Sequence, residues 1–182
     1  MKVKNFYAYQ AQLDLPFSET DKDLLSEIFK TLELKFGLIK NSNQYLIDLG
    51  AGDGRVILYA ALVLGIKSLG VEINSNLIRV EKKNIKFLKK EKQFKKYLFR
   101  RIKIKLGDFY LLNLNTFDFV YIYSWPNMQR FLNQVLSTAK KGAVIVSYKY
   151  PLRNFETYLK LDFELNQKVV NNEVSTYFYV KF

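Results

Sequence analysis

The sequence predicts an α/β fold: a seven-stranded, mostly parallel sheet with helices on both faces and an antiparallel β-hairpin at the C-terminal end. Three observations carry this. Apolar strand-like runs alternate with amphipathic segments from residue 44 to residue 150. The first strand, in YLIDLGAGDGR, runs into glycines at alternate positions, Gly50, Gly52 and Gly54, a pattern that suits a tight strand-to-helix turn. After residue 160 the apolar period changes to two, the mark of a hairpin.

Each element has its own signal. Residues 1–19, with Phe6, Tyr7, Tyr9 and Phe17, show no period and read as an irregular arm. Thr20 with Asp23 three positions on is a capping pattern, and Leu24, Leu25, Ile28, Phe29 and Leu32 follow at helical spacing, so a lead helix is expected over 20–36, stopping at Gly37. Strand one covers about 44–49. A helix then runs from Arg55 to about Leu64 and stops at Gly65. Strand two is 67–72, and a long helix begins at Ser75 with Ile78, Ile85 and Leu88 on one face. RIKIKL, before Gly107, is strand three, FDFVYIY strand four and GAVIVSYKY strand five, with a helix expected over 127–138. A short helix is expected after Pro151, to about Lys160. DFELNQKVV and STYFYVKF then form the hairpin around Asn171, Asn172 and Glu173. At 182 residues, one domain spanning 1–182 is expected.

Composition narrows the chemistry. There is no cysteine and no histidine, which removes thiol nucleophiles, disulfides and the commonest general base and metal ligand. Catalysis must rest on carboxylates, hydroxyls, lysines or a bound cofactor. No apolar run reaches the roughly 18 residues of a membrane span, and no secretory pattern opens the chain, so a soluble cytoplasmic protein is the expectation. The formal charge of +12 makes anionic partners plausible through long-range attraction. Lys82, Lys83, Lys86, Lys89, Lys90, Lys92, Lys95 and Lys96, interleaved with Phe87, Phe94 and Tyr97, form either a nucleic-acid track or a solvated helix face. The second reading, with the aromatic residues turned inward, is preferred because this helix flanks the sheet.

The glycine loop has its own chemical bias. A phosphate cradle wants a helix start free of negative charge, whereas Asp48 precedes this loop and Asp53 lies inside it. Two acids suit a cationic ligand instead. Glu72, at the tip of strand two, can accept both hydroxyls of a ribose. Asp108 after strand three can accept an adenine amino group, with Phe109 offering its face to the base and Tyr110 as a second stacking candidate. The end of strand four, YIYSWPN, belongs beside the reacting group, since ligands bind outside the carboxyl ends of parallel strands. A plain glycine-rich turn, a loop Asp108 and a core Trp125 are the structural alternatives.

The loop with Asp48 and Glu72 resembles motif I of the class I, seven-β-strand S-adenosylmethionine-dependent methyltransferases, a Rossmann-like family. DLGAGDGR, LGVEIN, LGDFY and WPNMQRFLNQVLSTAKKGAVIVSYKYPL together resemble one branch of it, the archaeal protein-lysine methyltransferases of broad specificity and their mitochondrial relatives. The resemblance covers roughly residues 16–160. It implies S-adenosyl-L-methionine as cofactor, held by Asp48, Gly50, Ala51, Gly52, Gly54, Arg55, Glu72, Ile73, Asp108, Phe109 and Thr20, with no metal. It implies lysine-containing protein substrates for a monomeric enzyme, and Tyr121, Tyr123 and Trp125, with Tyr148, as residues lining the substrate channel. The Pro-Phe-x-Pro-Thr-Pro element of that branch reads Pro16-Phe17-Ser18-Glu19-Thr20-Asp21 here, with Glu19 and Asp21 in place of two prolines. Methylation of RNA or of a small molecule, and a non-catalytic nucleic-acid-binding role, are the rival readings.

Overall fold

In a computed structural model the described residues are 20, 22–90, 93–123, 125–169 and 172–182. The arm 1–19 with Pro16 to Glu19, Asp21, Lys92, Ser124 and Asn171 lie outside them. Helix α1 spans Lys22–Lys35 and buries Leu24, Leu25, Ile28, Phe29 and Leu32, the stripe anticipated from helical spacing. Strand β1 (Tyr45–Leu49) feeds the glycine loop and helix α2, Arg55–Leu58, which continues as a π-helical turn over Tyr59–Val63. Strand β2 (Lys67–Glu72), helix α3 (Ser75–Lys90) and a 3-10 turn at Lys96–Arg101 follow. Then come β3 (Ile102–Leu106), β4 (Phe119–Ile122), β5 (Val144–Tyr148), β6 (Leu159–Val169) and β7 (Asn172–Lys181).

The seven strands form one Rossmann-like sheet in the order β3-β2-β1-β4-β5-β7-β6. The first five are parallel and β7 pairs antiparallel with both β5 and β6. Strand alternation splits the core into two layers. Leu46, Phe119, Tyr121, Val144 and Val146 face α1 and α2, while Ile47, Leu49, Val120, Ile122 and Ile145 face Leu132, Val135 and Leu136 on the opposite side. Sequence order reverses between β1 and β4, and their carboxyl ends open the crevice where ligands of such sheets bind. Asp48 of β1 stands there between its register partners, Gly70 of β2 and Tyr121 of β4.

Three expectations differ from the structure. The segment 127–138 is a 3-10 helix, Pro126–Phe131, followed by a single α-helical turn α4, Asn133–Leu136. No helix forms from Pro151 to Lys160. Asn154 (φ 66°) takes left-handed backbone in the middle of the segment, which breaks a right-handed helix, and β6 begins at Leu159. The aromatic residues of the lysine run do not all turn inward either. Phe87 is 61% exposed and Tyr97 48%, and only Phe94 packs, against Leu62, Leu98 and Phe99. Ile85 and Leu88 already fill the side of α3 that meets this cluster, so Phe87 is left on the outer side.

Candidate active site

Backbone geometry builds the site from the glycine loop outward. Gly50, Gly52 and Gly54 all have positive φ, 88°, 58° and 83°, as a loop folding back over the end of its own strand requires. Glu72 pins this loop. One carboxylate oxygen accepts the N–H of Gly52 at 2.9 Å, and the other accepts the N–H groups of Ile73 and Asn74, each at 2.8 Å. Of about four acceptor directions on a carboxylate, three are engaged, which leaves room for a ligand hydroxyl. The backbone N–H of Gly107 donates to Glu72 O at 2.9 Å, so Asp108 sits at the neighbouring strand end.

Asp108 caps the short turn Phe109–Leu111 by accepting the N–H of Tyr110 at 2.8 Å. Phe109 is half-buried, and its ring edge lies 3.9 Å from where a Cβ on Gly50 would stand, so the aromatic face and the glycine loop border one space. Tyr110 is not available for stacking. It is buried in the core, packed between Phe109 and Phe131, with burial raising its phenol pKa.

A small pocket beside the loop is lined by Thr20, Asp48, the loop from Gly50 to Asp53, Arg55, Tyr121 and Tyr123. Asp53 is not the free acid that the sequence suggested. It forms an ion pair with Arg55, Nη2 to Oδ2 at 2.7 Å with Nε to Oδ1 at 3.0 Å, and Arg55 Nη1 donates to Thr20 O at 2.6 Å. Arg55 thereby ties the loop to the segment leading into α1. Thr20, buried, meets Tyr121 Oη at 2.9 Å. Asp48 remains as the acid facing the pocket. Burial, then the charges of Glu81, Glu72 and Asp53, raise its pKa well above the ordinary carboxylate range.

Glu81 is the residue that sequence reasoning missed. It projects from α3 beneath the loop, 0% exposed, and neither carboxyl oxygen has a hydrogen-bond partner among the described residues. Burial first, then Glu72 and Asp53, push its pKa to about 8, against a small opposing effect of Lys82. The signal was readable: Glu81 lies three residues after Ile78 and four before Ile85, on the stripe assigned to the core. Its carboxyl fills the space that two glycines vacate. A Cβ on Gly54 would stand 2.5 Å from Glu81 Cγ, and one on Gly70 would stand 2.8 Å from Oε1. Gly54→Ala should therefore destabilise the protein by about 2–4 kcal/mol in urea unfolding, through overpacking and left-handed strain together. Adding Glu81→Ala should recover only the overpacking part; full recovery would mean that the φ of 83° carries no strain.

At the ends of β4 and β5 the aromatic residues divide. Tyr121 and Tyr148 are buried, so they support the site from within. Tyr123 and Trp125 are half-buried and stack with centroids 6.1 Å apart, and Tyr150, which the sequence reading did not single out, packs 5.6 Å from Trp125. Lys149 holds its ammonium 5.8 Å from the Tyr123 ring centre and 5.7 Å from that of Tyr150. A hydrogen bond to Tyr123 raises the pKa of this lysine.

Residues 48–158 match the model of the ANTKMT methyltransferase domain family, a span that contains the glycine loop, Glu72, Asp108 and the aromatic wall. This chain belongs to that family. It is an S-adenosylmethionine-dependent methyltransferase. Among curated proteins, this methyltransferase is 24% identical to a lysine N-methyltransferase of Caenorhabditis elegans whose named substrate is an ATP synthase subunit, over 85% of this chain and 76% of that one. It is 29% identical to a protein-lysine N-methyltransferase of Saccharolobus islandicus, over 63% of this chain and 68% of the relative. In fold it is similar to an RNA methyltransferase from Salinibacter ruber solved with S-adenosyl-L-homocysteine, with a TM-score of 0.71 at 19% identity, covering 90% of this chain and 94% of that one. The residues of this methyltransferase fit a cationic cofactor. Asp48 and Glu81 place buried carboxyls beside the loop with no ion pair to either among the described residues, and an aminium and a sulfonium bound there would favour their ionised forms. Among the described residues no helix is long and apolar enough to cross a membrane.

Proposed function

We propose that this methyltransferase acts on lysine side chains of proteins. The observation that carries the reading is the half-buried wall of Tyr123, Trp125 and Tyr150 at the mouth of β4 and β5, over which a lysine ammonium, that of Lys149, already rests. Aromatic faces attract an ammonium, and their apolar surface disfavours its charge once water is displaced. Both curated relatives named above are lysine methyltransferases, which supports the assignment.

When bound, S-adenosylmethionine supplies an activated methyl group on a cationic sulfur. In this reading Asp48 orients the amino-acid end of the cofactor, Glu72 receives the ribose, and Asp108 with Phe109 holds the adenine. Gly50, Ala51, Gly52, Gly54 and Ile73 give the ligand its backbone bed, while Arg55 and Thr20 fix the loop. Alignment of the reactants then does most of the catalysis. The acceptor must arrive neutral, and a lysine with pKa near 10.4 is only about 0.04% neutral at pH 7, a cost of about 4–5 kcal/mol. Desolvation of the acceptor amine against the wall and the positive charge of a bound cofactor would both lower that cost.

Trp125→Ala should lower methyl transfer to lysine-containing proteins by about 10- to 100-fold, with the dissociation constant of S-adenosylmethionine changed by less than about 2-fold. Radiolabel transfer and calorimetry measure the two. Equal loss in both would make Trp125 a core residue and remove the wall from the mechanism. A second reading, with RNA as partner, draws on α3, where Lys82, Lys83, Lys86, Lys89 and Lys90 are exposed beside exposed Phe87. Transfer of label to RNA and not to protein would establish it.

A further inference from the structure

Next to the aromatic wall lies a cavity of about 520 Å³ between the segment after β4 and the segment after β5. Gln129, Arg130 and Asn133 line it from one side, and Tyr150, Arg153 and Asn154 from the other. We propose that this cavity is a docking subsite for aspartate or glutamate side chains flanking the acceptor lysine, with Arg130 and Arg153 as the groups that receive their carboxylates. The proposal rests on the protein-lysine reading above and extends it to the kind of sequence that is selected.

Three features support it. First, a buried connector ties together the two segments that carry these exposed arginines. Gln129 is 5% exposed; its Nε2 donates to Pro151 O at 2.8 Å, and its Oε1 accepts the Arg153 N–H at 3.2 Å. The neighbour of Arg130 in the chain therefore fixes the backbone of Arg153, and Arg130 packs its guanidinium 4.7 Å from the Phe131 ring centre. Second, neither guanidinium has an ion pair among the described residues. The acid on this loop, Glu156, accepts the backbone N–H of Asn154 at 3.2 Å. Two guanidinium forks on one concave surface match carboxylates in geometry as well as in charge. Third, the cavity adjoins the wall through a shared ring, since Tyr150 lines the one and packs 5.6 Å from Trp125 in the other.

A carboxylate two or three residues from the acceptor lysine lies about 7–10 Å away along an extended chain, which bridges neighbouring sites of this size. The +12 charge of the whole chain works in the same direction, attracting acidic segments and repelling basic ones. Phosphates would also satisfy the arginines, but the aromatic wall beside the cavity, read above as the seat of the acceptor lysine, favours a protein segment as occupant.

The test uses short fluorescent peptides with one central lysine, flanked either by aspartates or by asparagines at the same positions. Wild type should bind the aspartate peptide about 10-fold more tightly by anisotropy, and kcat/KM for methyl transfer should follow. Arg130→Gln/Arg153→Gln should bring that ratio to about one, and Arg130→Glu/Arg153→Glu should turn the preference toward an arginine-flanked peptide. Affinity for S-adenosylmethionine, read by calorimetry, is the folding control. The proposal is overturned if wild type binds both peptides equally or if the preference survives in the double variants. It is also overturned if single-stranded RNA displaces the acidic peptide and loses more affinity than the peptide does in the double variants. Arginine-dependent peptide binding without methyl transfer to either peptide would refute the lysine reading and leave the subsite standing; transfer to both without preference would do the reverse.

Discussion

A Glu81→Gln variant is expected to lose less folding stability than the wild type as pH rises from about 4.5 to about 8, the remaining decline coming from Asp48, whose pKa burial also raises. Unfolded, the Glu81 carboxyl titrates near its ordinary value; folded, it keeps its proton until about pH 8. Between those values the native state binds more protons than the unfolded chain, so stability declines with pH across that window and levels off above it. A shift of this size at about 1.4 kcal/mol per unit corresponds to about 3–5 kcal/mol between the two ends. Glutamine at this position buries a polar group at every pH but has no charge to acquire, so the difference between the two proteins should widen from pH 5 to pH 9. Urea unfolding at a series of pH values measures it, and parallel curves for the two proteins would refute the assignment. The groups facing Glu81 strengthen the expectation: Glu72 and Asp53 oppose its ionisation, and Lys82, which favours it, is exposed. A cationic ligand in the loop should reduce the alkaline loss in the wild type.

The second large effect is expected at Glu72. Replacement by Ala removes the acceptor for the N–H groups of Gly52, Ile73 and Asn74 together with the carboxylate that receives the ribose. Hydrogen bonds to a charged group contribute about 1.5–3 kcal/mol each, and a buried donor left unpaired costs a similar amount. Glu72→Ala should therefore weaken S-adenosylmethionine by at least about 100-fold and lower stability by about 3 kcal/mol or more. Glu72→Gln should lie between, since its amide keeps one accepting oxygen and turns an NH2 group toward a donor. Calorimetry and thermal unfolding give the two numbers. Unchanged cofactor affinity in Glu72→Ala would remove the whole cofactor assignment, whereas weakened affinity at unchanged stability would show that the loop holds its shape without this carboxylate.

Much of this arrangement is legible in the sequence. The five parallel strands and the hairpin appeared as runs of period two or of unbroken apolar residues, and the lead helix as the stripe Leu24 to Leu32 that the structure buries. The glycine loop and the acid at the tip of β2 were legible because their chemistry is local: alternate glycines permit positive φ, and the distance from loop to acid is set by one helix and one strand. The helix expected after Pro151 failed because Asn154, in the middle of that segment, adopts left-handed backbone, a conformation that Asn tolerates better than most residues and that the sequence reading passed over. The inward-facing aromatic residues failed at Phe87 and Tyr97, where other side chains already fill the packing surface.

The sequence by itself determined the fold class, the family and the cofactor loop, because these follow from hydrophobic period and from residues close together in the chain. Tertiary structure alone decided which acids are paired and which are not. Asp53 is neutralised by Arg55 two residues away, while Glu81, nine residues beyond Glu72, is carried by a helix into the space that Gly54 and Gly70 leave open. It also decided that Tyr121 lies in the core while Tyr150 joins the wall, and that Arg130 and Arg153 share one cavity. The physical reason is common to all of these. Burial and electrostatic surroundings depend on which elements pack against one another, and that is fixed by contacts across the sheet rather than along the chain.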